Sequence, residues 1–247
     1  MSTPPPVSFF RGVGGHTHRS PMAVLEVACF NPSSAIAASA AQVDRIELCS
    51  NPTVGGVTPD IEWLSQISDK VDIPINIMIR PRGGNFVYSD SEFDEMKQTI
   101  ALYKSNAAVN GFVFGILLPN GKVDIARTSE LVRQASPLPC TFHRAFDDTP
   151  DLLEALEDAV KCNVRTILTS GGCRTAVDGV DTLAQLVKRA GSRVTIMPGG
   201  GVRSGNLATL ISTTQATAYH SSALVDTDQV ANTAEMKSMK EIIATIY

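Results

Sequence analysis

Five residues that could carry proton-transfer or ion-binding chemistry each stand near the end of a short apolar segment. They are Glu26, Glu47, Arg80, His143 and His220. Carboxylates and imidazoles can act as general acids and bases, and a guanidinium group binds carboxylates and phosphates through paired hydrogen bonds. Such groups are costly in an apolar core unless they pair with each other or with a ligand. The pattern therefore predicts a polar site, provided that the fold brings the ends of these segments together.

A second set of residues has the composition of an anion-binding site. Two arginines precede a glycine pair in the 79–84 segment, and glycine-rich turns follow two later apolar segments. Free backbone N–H groups of such turns bind anions, above all where a helix begins, although tight turns also use glycine. The predicted anion-binding residues are Arg80, Arg82, Gly171, Gly199, Gly200 and Gly201.

The elements that must position these residues alternate regularly along the chain. Short apolar, β-branched runs predict strands at residues 24–28, 45–49, 75–80, 111–117, 140–146, 165–169, 194–197 and 216–220. Apolar residues three and four apart predict helices at residues 32–41, 59–68, 91–105, 124–135, 151–161, 175–190, 204–211 and 231–246. Eight βα units in 247 residues favour an α/β fold, a single (β/α)8 TIM barrel. An open doubly wound sheet is the alternative, although no Gly-x-Gly-x-x-Gly motif follows the first strand.

Side-chain alternation predicts the direction in which the titratable residues point. Three isoleucines in the 75–79 segment share one strand face, so Arg80 takes the other. The outer strand face of a barrel packs on helices and should be apolar, so Arg80 is expected to point inward. The same argument turns all five residues inward, at the carboxyl-terminal rim where active sites of this fold lie. Arg144 falls in the outward phase. The alternative is a structural ion pair, of Glu26 or Glu47 with Arg80, that only fills the barrel interior.

Composition excludes several classes of function. Lys and Arg total 21 against 25 Asp and Glu, a balance that gives no electrostatic footprint for nucleic acid, and no apolar run is long enough to cross a membrane. The 5 cysteines are scattered and odd in number, which indicates a reducing compartment rather than a disulfide framework. Residues 1–21 are rich in Pro and Gly and predict a disordered extension, followed by one domain over residues 22–247.

Several motifs together resemble the CutC family, in particular its eukaryotic members. The segments that carry the resemblance include residues 47–49, 79–84, 141–147, 169–172 and 198–202. The resemblance implies a single (β/α)8 barrel, a homo-oligomer (a dimer or a tetramer) and a cytoplasmic location, with the nucleus as an alternative. It also implies a role in copper homeostasis, with Cu(I) as the bound metal and Cys29 and Cys49 as its ligands.

Two functions follow, and the sequence leaves open whether the protein is an enzyme. The first is Cu(I) binding, since thiolates are suitable Cu(I) ligands, although alternation places Cys49 inward and Cys29 outward. The second is an enzyme acting on a small phosphorylated or carboxylated metabolite at the barrel mouth. His143 would then be the general acid or base, and Glu26 or Glu47 would orient it or share the proton transfer. No lysine stands at an inward strand end, which disfavours a Schiff-base aldolase.

Overall fold

Strands and helices alternate throughout residues 23–247, which are the residues that the computed structural model describes. The eight strands are β1 Val24–Cys29, β2 Arg45–Leu48, β3 Ile75–Met78, β4 Val109–Phe114, β5 Cys140–Phe142, β6 Thr166–Thr169, β7 Thr195–Pro198 and β8 Ala218–Ser221. The helices are α1 Pro32–Ala40, α2 Glu62–Ile67, α3 Asp90–Lys104, α4 Ile125–Ala135, α5 Leu152–Lys161, α6 Val180–Ala190, α7 Ser204–Thr214 and α8 Thr233–Ile246. The extension predicted at residues 1–21 lies outside the described residues.

All eight strands run parallel in the order β7-β6-β5-β4-β3-β2-β1-β8. The two end strands, β7 and β8, also contact each other, which nearly closes the sheet. Gly199 lies at this junction, where a Cβ atom would stand 3.3 Å from the Cβ of His220. The predicted (β/α)8 TIM barrel is confirmed.

Local sequence explains where several helices begin. Ser89 and Glu92 form a reciprocal capping box at the start of α3, and Asp151 accepts hydrogen bonds from two backbone N–H groups of α5. One difference from the predicted elements matters for the site. The predicted fifth strand ends early, at Phe142, because residues 144–148 form a turn of 3₁₀ helix. Side-chain alternation therefore stops being a guide after Phe142.

Apolar side chains form two layers, one outside the sheet and one inside it. The outer layer, between strands and helices, contains Leu25 and Ile46 and is the larger. Two small apolar clusters are separate from this layer, one containing Met78 and the other containing Met197. The inward phase predicted from alternation thus holds for β1 to β3.

None of the helices within residues 23–247 combines the length and apolarity needed to cross a bilayer.

Candidate functional site at the barrel mouth

A cavity of about 180 Å³ opens at the carboxyl ends of the strands. Its polar lining includes Glu47, Arg80, His143, Arg144 and His220. Its walls also include the apolar side chains of Ala28, Phe30, Met78, Phe86 and Leu168. Four of the five predicted titratable residues therefore line one space, and the fifth, Glu26, lies beneath it against His220.

Buried charges form a connected chain below the cavity. Strand register sets Glu26 beside both Arg45 and His220. Arg45 Nε donates to Glu26 Oε2 at 2.5 Å, and Asn76 Nδ2 donates to the same oxygen at 3.2 Å. His220 Nδ1 lies 2.8 Å from Glu26 Oε1. Burial alone would raise the pKa of Glu26, but Arg45 and His220 outweigh it and lower that pKa to about 2. Glu26 therefore pairs with Arg45 and His220, and the alternative pairing of Glu26 with Arg80 does not form.

Glu47 is the carboxylate that faces the cavity. Its Oε2 lies 3.7 Å from His220 Nε2, and its Oε1 is buried without a hydrogen-bond partner among the described residues. Burial raises the pKa of Glu47 to about 7, although the charge of His220 opposes that rise. Burial likewise disfavours the charged form of His220, but its hydrogen bond to Glu26 and the nearby Glu47 prevail and raise the pKa of His220.

Arg80 is held mainly as part of the scaffold. Its Nη1 donates to the carbonyl oxygens of Val54 and Gly56, both at 2.8 Å, and its Nη2 donates to that of Gly84 at 2.9 Å. The guanidinium carbon lies 4.7 Å from the centre of the Phe86 ring. Its buried Nε has no hydrogen-bond partner among the described residues, and neither has the nearby Tyr88 hydroxyl.

His143 is a neutral donor in this environment. The backbone N–H of Ala145 donates to His143 Nδ1 at 3.2 Å, which places the proton of the neutral ring on Nε2. Burial lowers the pKa of His143 to about 3, with a further contribution from the charge of Arg80. Nε2 is buried without a partner within residues 23–247. His143 is thus a weak base at neutral pH, and Glu47 is better suited to accept a proton.

Three residues that line the cavity each carry a buried atom without a hydrogen-bond partner in the described part of the chain: Glu47 Oε1, Arg80 Nε and His143 Nε2. Their residues are 3%, 5% and 4% exposed. Buried polar atoms normally have partners, and leaving one unpaired costs about 1–3 kcal/mol. Two N–H donors and one carboxylate oxygen in one space match a small ligand that has both acceptor and donor atoms.

Arg144 reaches the cavity although alternation predicts that it points outward. The turn that follows Phe142 redirects the chain and brings the Arg144 side chain to the rim. Its Nε donates to Asp147 Oδ2 at 2.8 Å, and its Nη2 donates to Ser170 Oγ at 2.8 Å. Asp147, the last residue of the 141–147 motif, is the sequence signal that could have suggested this arrangement.

The glycine turns divide into one that lines the cavity and one that does not. Gly200 and Gly201, after β7, line it, whereas Gly199 serves the strand junction. Gly171 lies against the backbone oxygen of Gly179, and its N–H donates to Thr169 Oγ1 at 2.9 Å. Gly171 is therefore placed for a turn, away from the cavity lining.

Two other expected anion-binding groups are already paired. Arg82 Nε donates to Glu92 Oε1 at 2.6 Å, and the side chain does not line the cavity. At the start of α7, the backbone N–H of Ser204 donates to Glu235 Oε1 at 2.6 Å. An anion at the mouth would therefore meet Arg80, Arg144 and the Gly200–Gly201 turn.

Cys29 and Cys49 are neighbours, with the Cys49 thiol donating to the Cys29 carbonyl oxygen at 3.8 Å, but their side chains pack in different layers. Cys29 packs in the outer layer and donates to the Val27 carbonyl at 3.6 Å, whereas Cys49 packs inside the barrel with Met78. Burial raises the pKa of both thiols, and the charge of Glu47 raises them further. Cu(I) binds the thiolate, so protonated buried thiols fit it poorly. Within residues 23–247, no group of three or more His, Cys, Asp or Glu side chains is placed to hold a metal.

These features define a (β/α)8 barrel protein with a ligand-sized polar cavity at the carboxyl ends of its strands. The family model described as the CutC family matches residues 23–225, and the chain belongs to that family.

Relatives and solved structures agree with this assignment. The chain is 40% identical to the human copper homeostasis protein cutC homolog, over 81% of this chain and 73% of the human one. It is also 40% identical to the CutC family protein of Chromobacterium violaceum, over 81% of each chain. The crystal structure of CutC from Streptococcus agalactiae superposes with a TM-score of 0.75 at 31% identity, covering 81% of this chain and 99% of that one. Phosphoribosylanthranilate isomerase from Thermotoga maritima has a TM-score of 0.61 at 14% identity, covering 91% and 100%, which is a likeness of fold alone.

Proposed function

We propose that this protein is an enzyme that binds a small carboxylated or phosphorylated metabolite at the barrel mouth and moves a proton to or from it. The observation that carries the proposal is that Glu47, Arg80 and His143 line one cavity and that each has a buried polar atom without a partner within residues 23–247. A ligand that occupied the cavity would give each of these atoms its missing partner.

The groups divide into distinct chemical roles. Glu47 accepts the proton: a substrate X–H bond breaks, its electron pair stays on the substrate, and an O–H bond forms at Oε1. His143 donates a hydrogen bond from Nε2 to the substrate oxygen on which negative charge develops, and the Arg80 Nε–H supports the same charge. The reverse step returns the proton from Glu47, so atoms and charge balance.

Binding is tested by a panel of small carboxylates and phosphate esters, measured by thermal shift and then by calorimetry. Arg80→Lys keeps the positive charge but removes the Nε–H, and should weaken a ligand about tenfold or more. Arg82→Lys is the matched control, because Arg82 is paired with Glu92 away from the cavity, and should leave affinity unchanged. A panel without a ligand would refute anion binding here, and ligands whose affinity is unchanged in Arg80→Lys would exclude Arg80 Nε as a binding group.

Proton transfer is tested separately on any ligand found. Proton NMR in D₂O follows loss of the ligand C–H signal in the presence of the wild-type protein. Glu47→Gln keeps the shape of the side chain but cannot accept a proton, so exchange should stop while binding persists. Exchange that continues at the wild-type rate in Glu47→Gln would exclude Glu47 as the base.

A role in copper homeostasis is the second candidate, and the name of the human relative supports it. In this second proposal, the protein is a cytoplasmic homo-oligomer that binds Cu(I) through Cys29 and Cys49. The geometry disfavours this ligand pair, because one thiol faces the outer layer and the other the interior.

Copper binding is tested by titrating Cu(I) against a competing chelator. Retained affinity in Cys29→Ser and Cys49→Ser would rule out the cysteine pair. Cys140→Ser is a matched control, since Cys140 is also buried and lies on a different strand. A loss confined to the first two variants would support copper binding through this pair.

A further inference from the structure

We propose that Arg144, with the Gly200–Gly201 backbone and the Ser222 hydroxyl, binds the carboxylate or phosphate group of the substrate at the cavity entrance. The remainder of the substrate then extends inward toward Glu47 and His143. This orientation rests on the proposed function of the cavity and adds a binding residue that side-chain alternation alone assigns to the opposite face. We name Arg144, Gly200, Gly201 and Ser222 the entrance subsite.

The guanidinium group of Arg144 is fixed on one side and free on the other. Nε is bound to Asp147, and Nη2 donates to Ser170 Oγ and, at 3.3 Å, to the carbonyl oxygen of Cys173. Nη1 has no hydrogen-bond partner among the described residues, and the side chain is 41% exposed at the cavity rim. A guanidinium group held in this way is preorganised, so little conformational entropy is lost when Nη1 binds an anion.

Asp147 is the group that holds Arg144 in place. Its Oδ1 accepts from Thr169 Oγ1 at 2.5 Å and from the backbone N–H of Gly172 at 3.0 Å. The backbone N–H of Ser170 donates to the same carboxylate, while the single Ser170 hydroxyl hydrogen lies between Asp147 Oδ2 and the closer carbonyl oxygen of Cys173. Because Asp147 has all these other donors, it stays partnered when Arg144 is replaced, and the loop is expected to keep its fold.

Gly200 brings the loop after β7 against Arg144. A Cβ atom at this position would lie 3.3 Å from both Cζ and Nη1 of Arg144, and its φ of +94° also favours glycine. The backbone N–H groups of Gly200 and Gly201 have no acceptor within residues 23–247. Consecutive free N–H groups beside a guanidinium end are suited to an anion.

Ser222 adds a hydroxyl donor on the far side of the entrance. Its Oγ accepts from Arg203 Nη2 at 3.0 Å, which leaves its own hydrogen free to point into the cavity that it lines. Arg203 is otherwise occupied by Ser221 Oγ and by the carbonyl oxygens of Val202 and Leu224. Arg203 therefore orients Ser222, whereas Arg144 is the cation with free donors at the entrance.

Arg80 is more deeply buried than Arg144 and is less suited to a whole anionic group. Three of its N–H bonds go to backbone carbonyls, and it is 5% exposed. A carboxylate or phosphate needs several donors at once, which the entrance subsite offers. A single Nε–H suits one substrate oxygen instead. The two arginines thus indicate a substrate that carries its anionic group at one end and its reacting oxygen at the other.

The test compares an anion with its neutral analogue on the full-length protein. The probes are inorganic phosphate, pyruvate and pyruvamide, which keeps the keto group of pyruvate but has no charge. Affinities are measured by calorimetry for wild type, Arg144→Gln and Arg80→Lys, with circular dichroism and the unfolding midpoint as folding checks. Gly200→Ala is a second variant, because its methyl group would displace the Arg144 guanidinium without removing it.

We expect Arg144→Gln to weaken phosphate and pyruvate about tenfold or more and to leave pyruvamide unchanged. Gly200→Ala should also weaken the binding of both phosphate and pyruvate. Equal losses for pyruvate and pyruvamide, or no binding of either anion to the wild type, would overturn the entrance subsite. Anion binding that is lost in Arg80→Lys but intact in Arg144→Gln would also overturn it, while leaving the proposed function of the cavity standing.

Discussion

Replacing His143 with asparagine should change how the stability of the protein depends on pH. His143 is 4% exposed, and burial, with the charge of Arg80, lowers its pKa from 6.5 to about 3. Below pH 6.5 the unfolded chain therefore binds a proton on this side chain that the folded protein does not bind. Stability from this source is complete above pH 6.5 and is lost as the pH falls toward 3.

The magnitude follows from the size of that pKa difference. A pH of about 5 lies about 1.5 units below the pKa of the unfolded imidazole. Protonation therefore stabilises the unfolded chain by about 2 kcal/mol, at about 1.36 kcal/mol per unit. Asparagine does not titrate, and its side-chain oxygen can still accept from the Ala145 N–H that now binds Nδ1. When the pH is lowered from about 7.5 to about 5, the free energy of unfolding of the variant should therefore fall by about 2 kcal/mol less than that of the wild type.

The assay is urea unfolding of both proteins at these two pH values, followed by circular dichroism. Other groups, including Glu26, Glu47 and His220, are present in both proteins, so their contributions largely cancel in the difference. Any cost of the smaller side chain is present at both pH values and cancels as well. An identical loss of stability in wild type and variant would show that His143 is already protonated in the folded protein at about pH 5. That result would contradict the assignment of His143 as a neutral donor.

Three further outcomes follow from particular contacts. In urea unfolding, Glu26→Gln should destabilise the protein by about 3–5 kcal/mol, because Arg45 loses its buried counter-ion. The control Glu241→Gln, at an exposed position, should change stability by less than about 0.5 kcal/mol. Gly171→Ala should lower stability by about 1–3 kcal/mol, because its Cβ would stand 2.6 Å from a backbone oxygen. Gly205→Ala, where nothing lies within 4 Å of the added Cβ, should leave stability unchanged or raise it slightly, and thermal unfolding measures both. Light scattering after size exclusion should give two or four times the chain mass of 26.3 kDa, and a monomer would contradict the expected oligomer.

The barrel itself was predictable because its signals are local. A strand shows its two faces through a period of two residues, and a helix shows its buried side through residues three and four apart. These periods recur eight times, so errors at single boundaries do not change the fold. The helix caps Ser89 and Asp151 also act locally, through neighbouring backbone N–H groups, although the predicted helix starts at residues 91 and 151 each differ from the observed ones by one residue.

The sequence by itself determined the family, the barrel and the inward phase of the first strands, which carry Glu26 and Glu47. Only the tertiary structure decided what each of them contacts. Strand register pairs Glu26 with Arg45 and His220, and register depends on contacts between segments distant in sequence. The turn after Phe142 carries Arg144 to the cavity, because alternation applies only while the chain remains extended. Which polar atoms stay unpartnered is likewise a property of the assembled barrel, and those atoms define the proposed site.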